Sequence, residues 1–294
     1  MFNNCNLCPR NCNINRLINN GYCGQNDKLK VARAALHFWE EPCVSGTNGS
    51  GTVFFSGCSL GCVYCQNKNI STGNVGKEIS VSRLSEIYFE LFNKKAHNIN
   101  LVTPSHFAPL VKESIELAKS NGLNIPFVYN TGGYDKVSTI KMFDRLIDIY
   151  LPDLKYMSEE LGKKYSNAPD YFDYASKAIS EMVKQTGKCE FDEEDILKKG
   201  VIVRHLVMPG LIEDSKKIIK YLYDEYKNDI YISIMNQFTP INLNSFAEIN
   251  RKVTEKEYNE VIDFALSLGI ENAYIQEGDT ADESFIPEFN LEGI

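Results

Sequence analysis

Residues 54–67 read FFSGCSLGCVYCQN and place three cysteines in a short loop directly after an apolar strand. Cys58, Cys62 and Cys65 are spaced C-x3-C-x2-C. A complete [4Fe–4S] cluster usually takes four cysteine ligands, so three thiolates would leave one iron open to a substrate or cofactor. The alternative is structural zinc, which needs a fourth Cys or His at finger-like spacing, and none follows Cys65 closely. The motif therefore predicts a catalytic iron–sulfur cluster.

Composition and charge narrow the class of protein. The 294 residues include 31 Lys and Arg against 39 Asp and Glu, a formal net charge of −8. No nucleic-acid partner is expected, because phosphate binding needs a basic face. No apolar run reaches the roughly 18 residues of a membrane span, and the N-terminus lacks signal-peptide features, so a cytoplasmic protein without membrane contact is expected. The nine cysteines, odd in number and clustered, indicate metal or redox use rather than disulfides.

A second group of cysteines precedes the loop. Cys5, Cys8, Cys12 and Cys23 are spaced C-x2-C-x3-C-x10-C in a segment with few large apolar residues. A metal staple would explain how such a segment becomes ordered. Zinc and a second iron–sulfur cluster both fit four thiolates, and four free thiols are the remaining alternative. Cys43 stays open as a core residue, a spare ligand or a thiol near the cluster. We expect residues 1–50 to form a Cys-rich, metal-binding extension.

The rest of the chain alternates between strand-like and helix-like patterns. Apolar runs rich in β-branched and aromatic residues predict buried parallel strands at 52–56, 99–103, 127–130, 147–151, 201–207 and 230–235. Amphipathic patterns predict helices at 82–97, 110–121, 137–146, 171–186, 216–226 and 255–268. Six βα units predict an α/β fold, a partial (β/α)6 TIM-like barrel over residues 51–270. Residues 271–294 would form a C-terminal segment covering the barrel mouth.

Polar, glycine and proline residues gather just past the predicted strands. In a (β/α) barrel the carboxyl ends of the strands meet at one rim, where the chemistry takes place. Beyond the cysteine loop, the segments in such positions are 103–106, 130–134, 153–155, 204–205, 208–210 and 236–237. The pattern predicts a single site at this rim.

Nearly the whole chain resembles the radical S-adenosylmethionine (SAM) enzymes, in the branch related to pyruvate formate-lyase activating enzymes. The resemblance rests on the three-cysteine loop and on YNTGGY at 129–134, LPDLKY at 151–156, RHLVMPG at 204–210 and SIMNQ at 233–237. It implies that SAM chelates the open iron through its amino and carboxylate groups. It also implies that one electron, from a donor such as flavodoxin or ferredoxin, cleaves SAM to a 5′-deoxyadenosyl radical that abstracts hydrogen.

The resemblance also implies roles for individual residues. Tyr64 matches a position against the adenine. Asn130 and Thr131 match a position near the ribose and methionine. Asp153 and Lys155 match an Asp-x-Lys element near the methionyl end, and Met208 lies in a turn at the site.

The chain departs from the family after the second strand, where a Gly-Gly-Glu-like segment usually takes the SAM amino group. Here the candidate acceptors are the Thr103 and Ser105 hydroxyls, or a backbone carbonyl held by Pro104. His106 is interpreted as a polar lid, a proton donor or a structural histidine.

Three functions compete. The first is an activase that removes hydrogen from a backbone glycine of a glycyl-radical enzyme. The second is a radical SAM enzyme that acts on a small molecule, or modifies another protein or peptide. A small-molecule enzyme should close its mouth with residues 276–294, which carry Asp279, Asp282, Glu283, Glu288, Phe285 and Phe289. The third, a non-catalytic metal scaffold, fits the complete cysteine motif and polar rim poorly.

Overall fold

The computed structural model describes residues 1–241, 243–276 and 287–294. Its strands are β1 (Lys30–His37), β2 (Ser50–Phe55), β3 (Lys77–Glu78), β4 (Ile99–Val102), β5 (Phe127–Thr131), β6 (Ile149–Pro152), β7 (Glu190–Phe191), β8 (Leu197–Leu206), β9 (Tyr231–Met235) and β10 (Ala273–Ile275). Its helices are α1 (Pro42–Ser45), α2 (Lys68–Ser71), α3 (Val81–Asn93), α4 (Ala108–Ser120), α5 (Val137–Ile140), α6 (Glu159–Ser166), α7 (Tyr171–Thr186), α8 (Ile212–Tyr226) and α9 (Glu255–Ser267). Among the described residues, no helix has both the length and the apolarity needed to cross a membrane.

One twisted sheet organises the molecule. Seven strands run parallel in the spatial order β2-β4-β5-β6-β8-β9-β10. Three more are antiparallel to their neighbours: β1 pairs with β2, β3 with β1, and β7 with β8. Helices α3, α4, α7, α8 and α9 lie between the parallel strands in sequence. The predicted α/β fold, with parallel strands in a partial barrel, is confirmed.

The predicted helix at 137–146 is wrong in its second half. Helix α5 ends at Ile140 and gives way to a 3-10 turn over Lys141–Phe143. Asp144 is extended and Arg145 adopts a φ of 61°, a left-handed backbone that an α-helix cannot contain. The chain therefore turns early to enter β6.

The N-terminal extension fills part of the barrel interior. The aligned positions Val128 and Ile149 on β5 and β6 face inward and pack with Ile202 of β8. Helix α1 inserts Cys43 and Val44 into this same cluster, and both are buried. Cys43, whose role the sequence leaves open, is thus a core residue. Segment 38–46 is structurally part of the barrel.

Residues 289–292 pack against strands β1 and β2. Phe289 contacts Phe54 edge to face, with ring centroids 5.4 Å apart. The Ala34 amide donates to the Glu292 carbonyl (2.8 Å), and Arg33 pairs with the Glu292 carboxylate (2.7 Å). Asp279, Asp282, Glu283 and Phe285 of the predicted mouth-closing segment lie outside the described residues.

We expect stability to fall between pH 6.5 and pH 4 because of a buried histidine. His205 bonds to the Leu154 carbonyl (2.8 Å) and the Ser215 hydroxyl (2.9 Å), and burial lowers its pKa to about 4. The unfolded chain takes up a proton near pH 6.5, whereas the folded chain does so only near pH 4, so falling pH favours unfolding across this window. The contribution is about 3 kcal/mol.

Denaturant titrations at several pH values check this expectation. A His205→Gln variant, which does not titrate, should lose correspondingly less stability over the window. Burial also lowers the pKa of His106, to about 3, so part of the pH dependence should persist in that variant. An identical slope in both proteins would contradict the assignment.

Candidate active site

The cysteine loop leaves the carboxyl end of β2 through a glycine that the geometry requires. Gly57 has a φ of 88°, and a Cβ there would lie 2.5 Å from the Cys23 carbonyl oxygen. The loop therefore packs directly against the N-terminal cysteine segment. Arg10 fastens the two together, because its guanidinium donates to the carbonyls of Ser59 (2.7 Å) and Leu60 (2.9 Å).

The three loop thiols lie close enough to influence one another. Burial raises the pKa of Cys65 to about 12, with further contributions from Cys62 and Cys58. Burial also raises the pKa of Cys62, which the nearby Lys155 ammonium opposes. In residues 1–241, 243–276 and 287–294, no group of three or more His, Cys, Asp or Glu side chains is placed so that it could hold a metal ion. The donor chemistry nevertheless fits a cluster, since buried neighbouring thiolates need the positive charge that iron supplies.

Aromatic side chains pack against Tyr64 of the cysteine loop. Tyr64 is buried, its hydroxyl bonds to that of Tyr156 (2.6 Å), and its ring lies 5.7 Å from Phe238. The Ser166 hydroxyl donates to the Cys62 sulfur at 3.0 Å. These contacts fix the loop's orientation and place Tyr64 beside the cysteines.

A buried charge cluster occupies the barrel interior near the loop. Arg204 of β8 donates to Asp153 (2.9 Å), to Glu40 (2.9 Å) and to the Asn130 side-chain oxygen (2.7 Å). Asp153 also accepts from the Lys155 ammonium at 2.6 Å. The side chains of the four charged residues are only 12–14% exposed. Nearby cations hold the pKa of Asp153 below its usual range despite burial, so the cluster is ionised.

The structure brings together only some of the predicted SAM-binding residues. Asn130, Asp153 and Lys155 belong to the charge cluster. Thr131 points to the opposite face of β5, as alternation along a strand requires, and donates to Asp135 at 2.6 Å.

The side chains of the other predicted residues take other positions. Ser105 accepts from the buried Tyr129 hydroxyl (3.1 Å). Thr103 directly follows β4 and has a φ of 60°, and its amide donates to the Asn130 carbonyl. Met208 is buried in the core after β8.

His106 serves the structure of the loop. It is buried, its Nε2 lies 2.8 Å from the Ser56 carbonyl just before the loop, and its own carbonyl accepts from Arg16 (2.6 Å). This arrangement supports the structural interpretation of His106.

Glu40 is the site residue that sequence reasoning missed. Its carboxylate accepts from Asn100 (2.8 Å), Asn130 (2.7 Å) and Arg204, and so ties three strands together from inside. The only sequence signal was an acidic pair, 40–41, ahead of the first predicted strand. The Asn100 side-chain oxygen beside it is buried and has no hydrogen-bond partner among the residues that the structure describes. An orphaned acceptor next to a charge cluster suits an amino or hydroxyl donor of SAM.

The four N-terminal cysteine thiols lie near one another without forming a ready-made metal-binding group, and a metal among them is a proposal. Burial raises the pKa of Cys8 to about 12, and the other three thiols contribute. A Cβ at Gly21 would lie 3.4 Å from the Cys23 sulfur and 3.8 Å from the Cys12 sulfur, so both sulfurs surround that position.

A buried arginine supports a metal at these four cysteines. Arg16 is fully buried, and in the described part of the chain its guanidinium meets carbonyls and the Cys5 sulfur rather than a carboxylate. Metal-bound thiolates would balance that charge.

Replacing Cys5, Cys8, Cys12 and Cys23 with serine should remove one bound metal centre. We expect one fewer zinc, or about four fewer irons, per chain, because thiolates are the ligands. Metal analysis of the purified protein measures this directly, with a Cys189→Ser variant as the control. Unchanged metal content would contradict the site.

A model of the Radical SAM superfamily matches residues 52–236, more than half of the chain. The protein therefore belongs to the radical SAM superfamily. Members of this family use a [4Fe–4S] cluster and SAM, which confirms the two predicted cofactors.

The chain is also similar to individual proteins. An uncharacterized protein of Methanocaldococcus jannaschii is 28% identical, over 93% of this chain and 78% of the relative. Streptococcus suis SuiB, crystallised with precursor peptide SuiA, has a TM-score of 0.51 at 12% identity, over 75% of this chain and 46% of SuiB. The structure of anSMEcpe with bound AdoMet and the Kp18Cys peptide has a TM-score of 0.50 at 16% identity, over 72% and 57%. This chain thus spans about half the length of these two solved proteins, and the likeness shows the fold alone.

Proposed function

We propose that Cys58, Cys62 and Cys65 hold the [4Fe–4S] cluster of a radical SAM oxidoreductase that abstracts a hydrogen atom from its substrate. When bound, the cluster and SAM together supply a reductively generated 5′-deoxyadenosyl radical. One observation carries the proposal: the cysteine loop and the charge cluster of Glu40, Asp153, Lys155 and Arg204 lie at the same end of one barrel.

The chain's own residues bind, orient and shield the cofactors in this proposal. The Lys155 ammonium and the Ser166 hydroxyl both face Cys62 and favour its thiolate. Asp153, whose two carboxylate oxygens accept from Lys155 and Arg204, would be an acceptor for the methionine amino group. The Asn100 side-chain oxygen, which has no partner in the described part of the chain, offers a further acceptor. Tyr64 contributes an aromatic surface beside the loop for the adenine.

The proposed substrate is a protein or peptide. The resemblance to pyruvate formate-lyase activating enzymes favours a glycyl-radical enzyme as the partner, with flavodoxin or ferredoxin as electron donor. SuiB and anSMEcpe were both crystallised with peptides, which supports a peptide or protein substrate more broadly. A radical SAM reaction on a small molecule is the second candidate.

Hydrogen transfer into 5′-deoxyadenosine tests the substrate class. The reduced, reconstituted enzyme is mixed with SAM and with extract from cells grown in deuterated medium, separated into protein, peptide and small-molecule fractions. We expect deuterium in 5′-deoxyadenosine with the protein or peptide fraction, because the radical takes hydrogen from its substrate. Deuterium only with the small-molecule fraction would favour the second candidate.

A further inference from the structure

A cavity of about 680 Å³ lies between segment 38–46 and the strands β8, β9 and β10. We call this cavity the side chamber. Its lining includes Phe38, Trp39, Glu40, Glu41, Arg204 and Tyr274. Its size suits a small molecule or one residue of a peptide with its neighbours. The chamber therefore has the dimensions of a substrate site.

The side chamber reaches both halves of the proposed active centre. Arg204 lines it and also belongs to the charge cluster. Gln237 lines it as well, and its carbonyl accepts from the side-chain amide of Gln66 in the cysteine loop at 2.9 Å. A group bound in the chamber would thus lie next to the cofactor residues.

Charge in the side chamber is unbalanced in one place. Among the described residues Arg204 pairs with Glu40 and Asp153, and Lys155 pairs with Asp153. Glu41 takes part in no ion pair there and is held by the buried Ser233 hydroxyl. Burial raises the pKa of Glu41, and the Ser233 hydroxyl and the Arg204 charge, which Glu40 and Asp153 share, oppose that shift only in part. A cation entering the chamber would supply compensating positive charge.

Two aromatic rings line the same chamber as this carboxylate. Phe38 and Trp39 are 50% and 65% exposed although both are large apolar side chains. Aromatic faces attract ammonium and guanidinium groups and also cover their aliphatic stems. A buried carboxylate and two exposed aromatic rings in one chamber match a cation carried on an apolar stem.

We propose that the side chamber binds a substrate group with an ammonium or guanidinium on an aliphatic stem, as lysine and arginine carry, with Glu41 as its counter-ion. This inference rests on the proposed function for its chemistry, since it identifies the group brought beside the cofactors. The stem passes Phe38 and Trp39, and the charged end meets the carboxylate. The source is either a peptide side chain or a free amine of the same chemistry.

Trp39 provides a direct measurement, because it is the only tryptophan in the chain. Its fluorescence in the anaerobically reconstituted protein is titrated with Nα-acetyl-lysine-N-methylamide, its arginine and norleucine counterparts, and pentylamine. We expect the lysine and arginine probes to bind about tenfold tighter than norleucine, since a hydrogen bond to a charged group is lost. Tighter binding of the lysine probe than of pentylamine identifies a peptide source, and equal binding identifies a free amine.

A carboxylate variant completes the test. Glu41→Gln should weaken the lysine probe about tenfold and leave norleucine unchanged, whereas Glu213→Gln, a change at an exposed ion pair, should alter neither. If Glu41→Gln does not fold, the lysine–norleucine comparison on the unaltered protein decides alone. Equal affinity for lysine and norleucine, or no fluorescence response to any probe, overturns the inference. The titration needs no SAM cleavage, so a protein that binds the cation without cleaving SAM would refute the proposed function instead.

Discussion

A variant with Cys58, Cys62 and Cys65 all replaced by alanine should form no 5′-deoxyadenosine from SAM. These three residues are the proposed thiolate ligands of the catalytic cluster, and their loss removes every protein bond to it. We expect about four fewer irons per chain and complete loss of SAM cleavage after reduction with dithionite. Liquid chromatography of the quenched reaction measures the product, and iron analysis measures the cluster.

Two controls separate this result from a general loss of structure. Cys189→Ala removes a half-buried cysteine that packs beside β8, outside both cysteine groups, and should keep full iron content and activity. Single alanine variants at Cys58, Cys62 and Cys65 should each fail to cleave SAM, because each supplies one of only three bonds. Product formation by the triple variant would remove the assigned ligands from the account.

Arg204→Gln should cost about 3–5 kcal/mol of folding stability, the effect of breaking a buried charge network on one side. The substitution leaves the Glu40 and Asp153 carboxylates buried and without their shared cation. We also expect weaker SAM binding, because Asn130 and Asp153 lose the partner that positions them. Denaturant titration gives the stability, and SAM titration of the reconstituted protein gives the affinity.

An exposed arginine and a second substitution sharpen this prediction. Arg83→Gln removes ion pairs to Glu86 and Glu90 on the surface of α3 and should cost about 1 kcal/mol or less. The double variant Arg204→Gln/Glu40→Gln should be less destabilised than the sum of its parts, because Glu40 is then no longer a buried unpaired charge. Additive losses would mean that Glu40 and Arg204 do not act as a pair.

Local chemistry explains which site residues could be read from the sequence. The three cysteines lie within eight positions, and their spacing alone predicts the ligand set. Asn130 and Asp153 follow from the rule that strand ends meet at one rim. Thr131 shows the limit of that rule, since neighbouring residues of a strand face opposite sides and the strand end does not say which one faces inward.

Long-range contacts explain what could not be predicted. Glu40 and Arg204 are 164 positions apart in the sequence, so no local sequence pattern predicts their ion pair. Strand β1 escaped notice because its sequence KVARAALH is rich in alanine and lacks the β-branched character of the other strands. Helix α6 is absent from the predicted elements although local signals mark it, with Ser158 as its N-cap and Glu159 and Glu160 in its first turn.

The central claim is that three cysteines hold a cluster with one iron open to SAM. The most direct measurement is the electron paramagnetic resonance spectrum of the reduced, reconstituted protein with and without SAM. We expect a [4Fe–4S]⁺ signal whose g values shift when SAM is added, because SAM would coordinate the open iron. A cluster signal that SAM leaves unchanged at saturating concentration would contradict it.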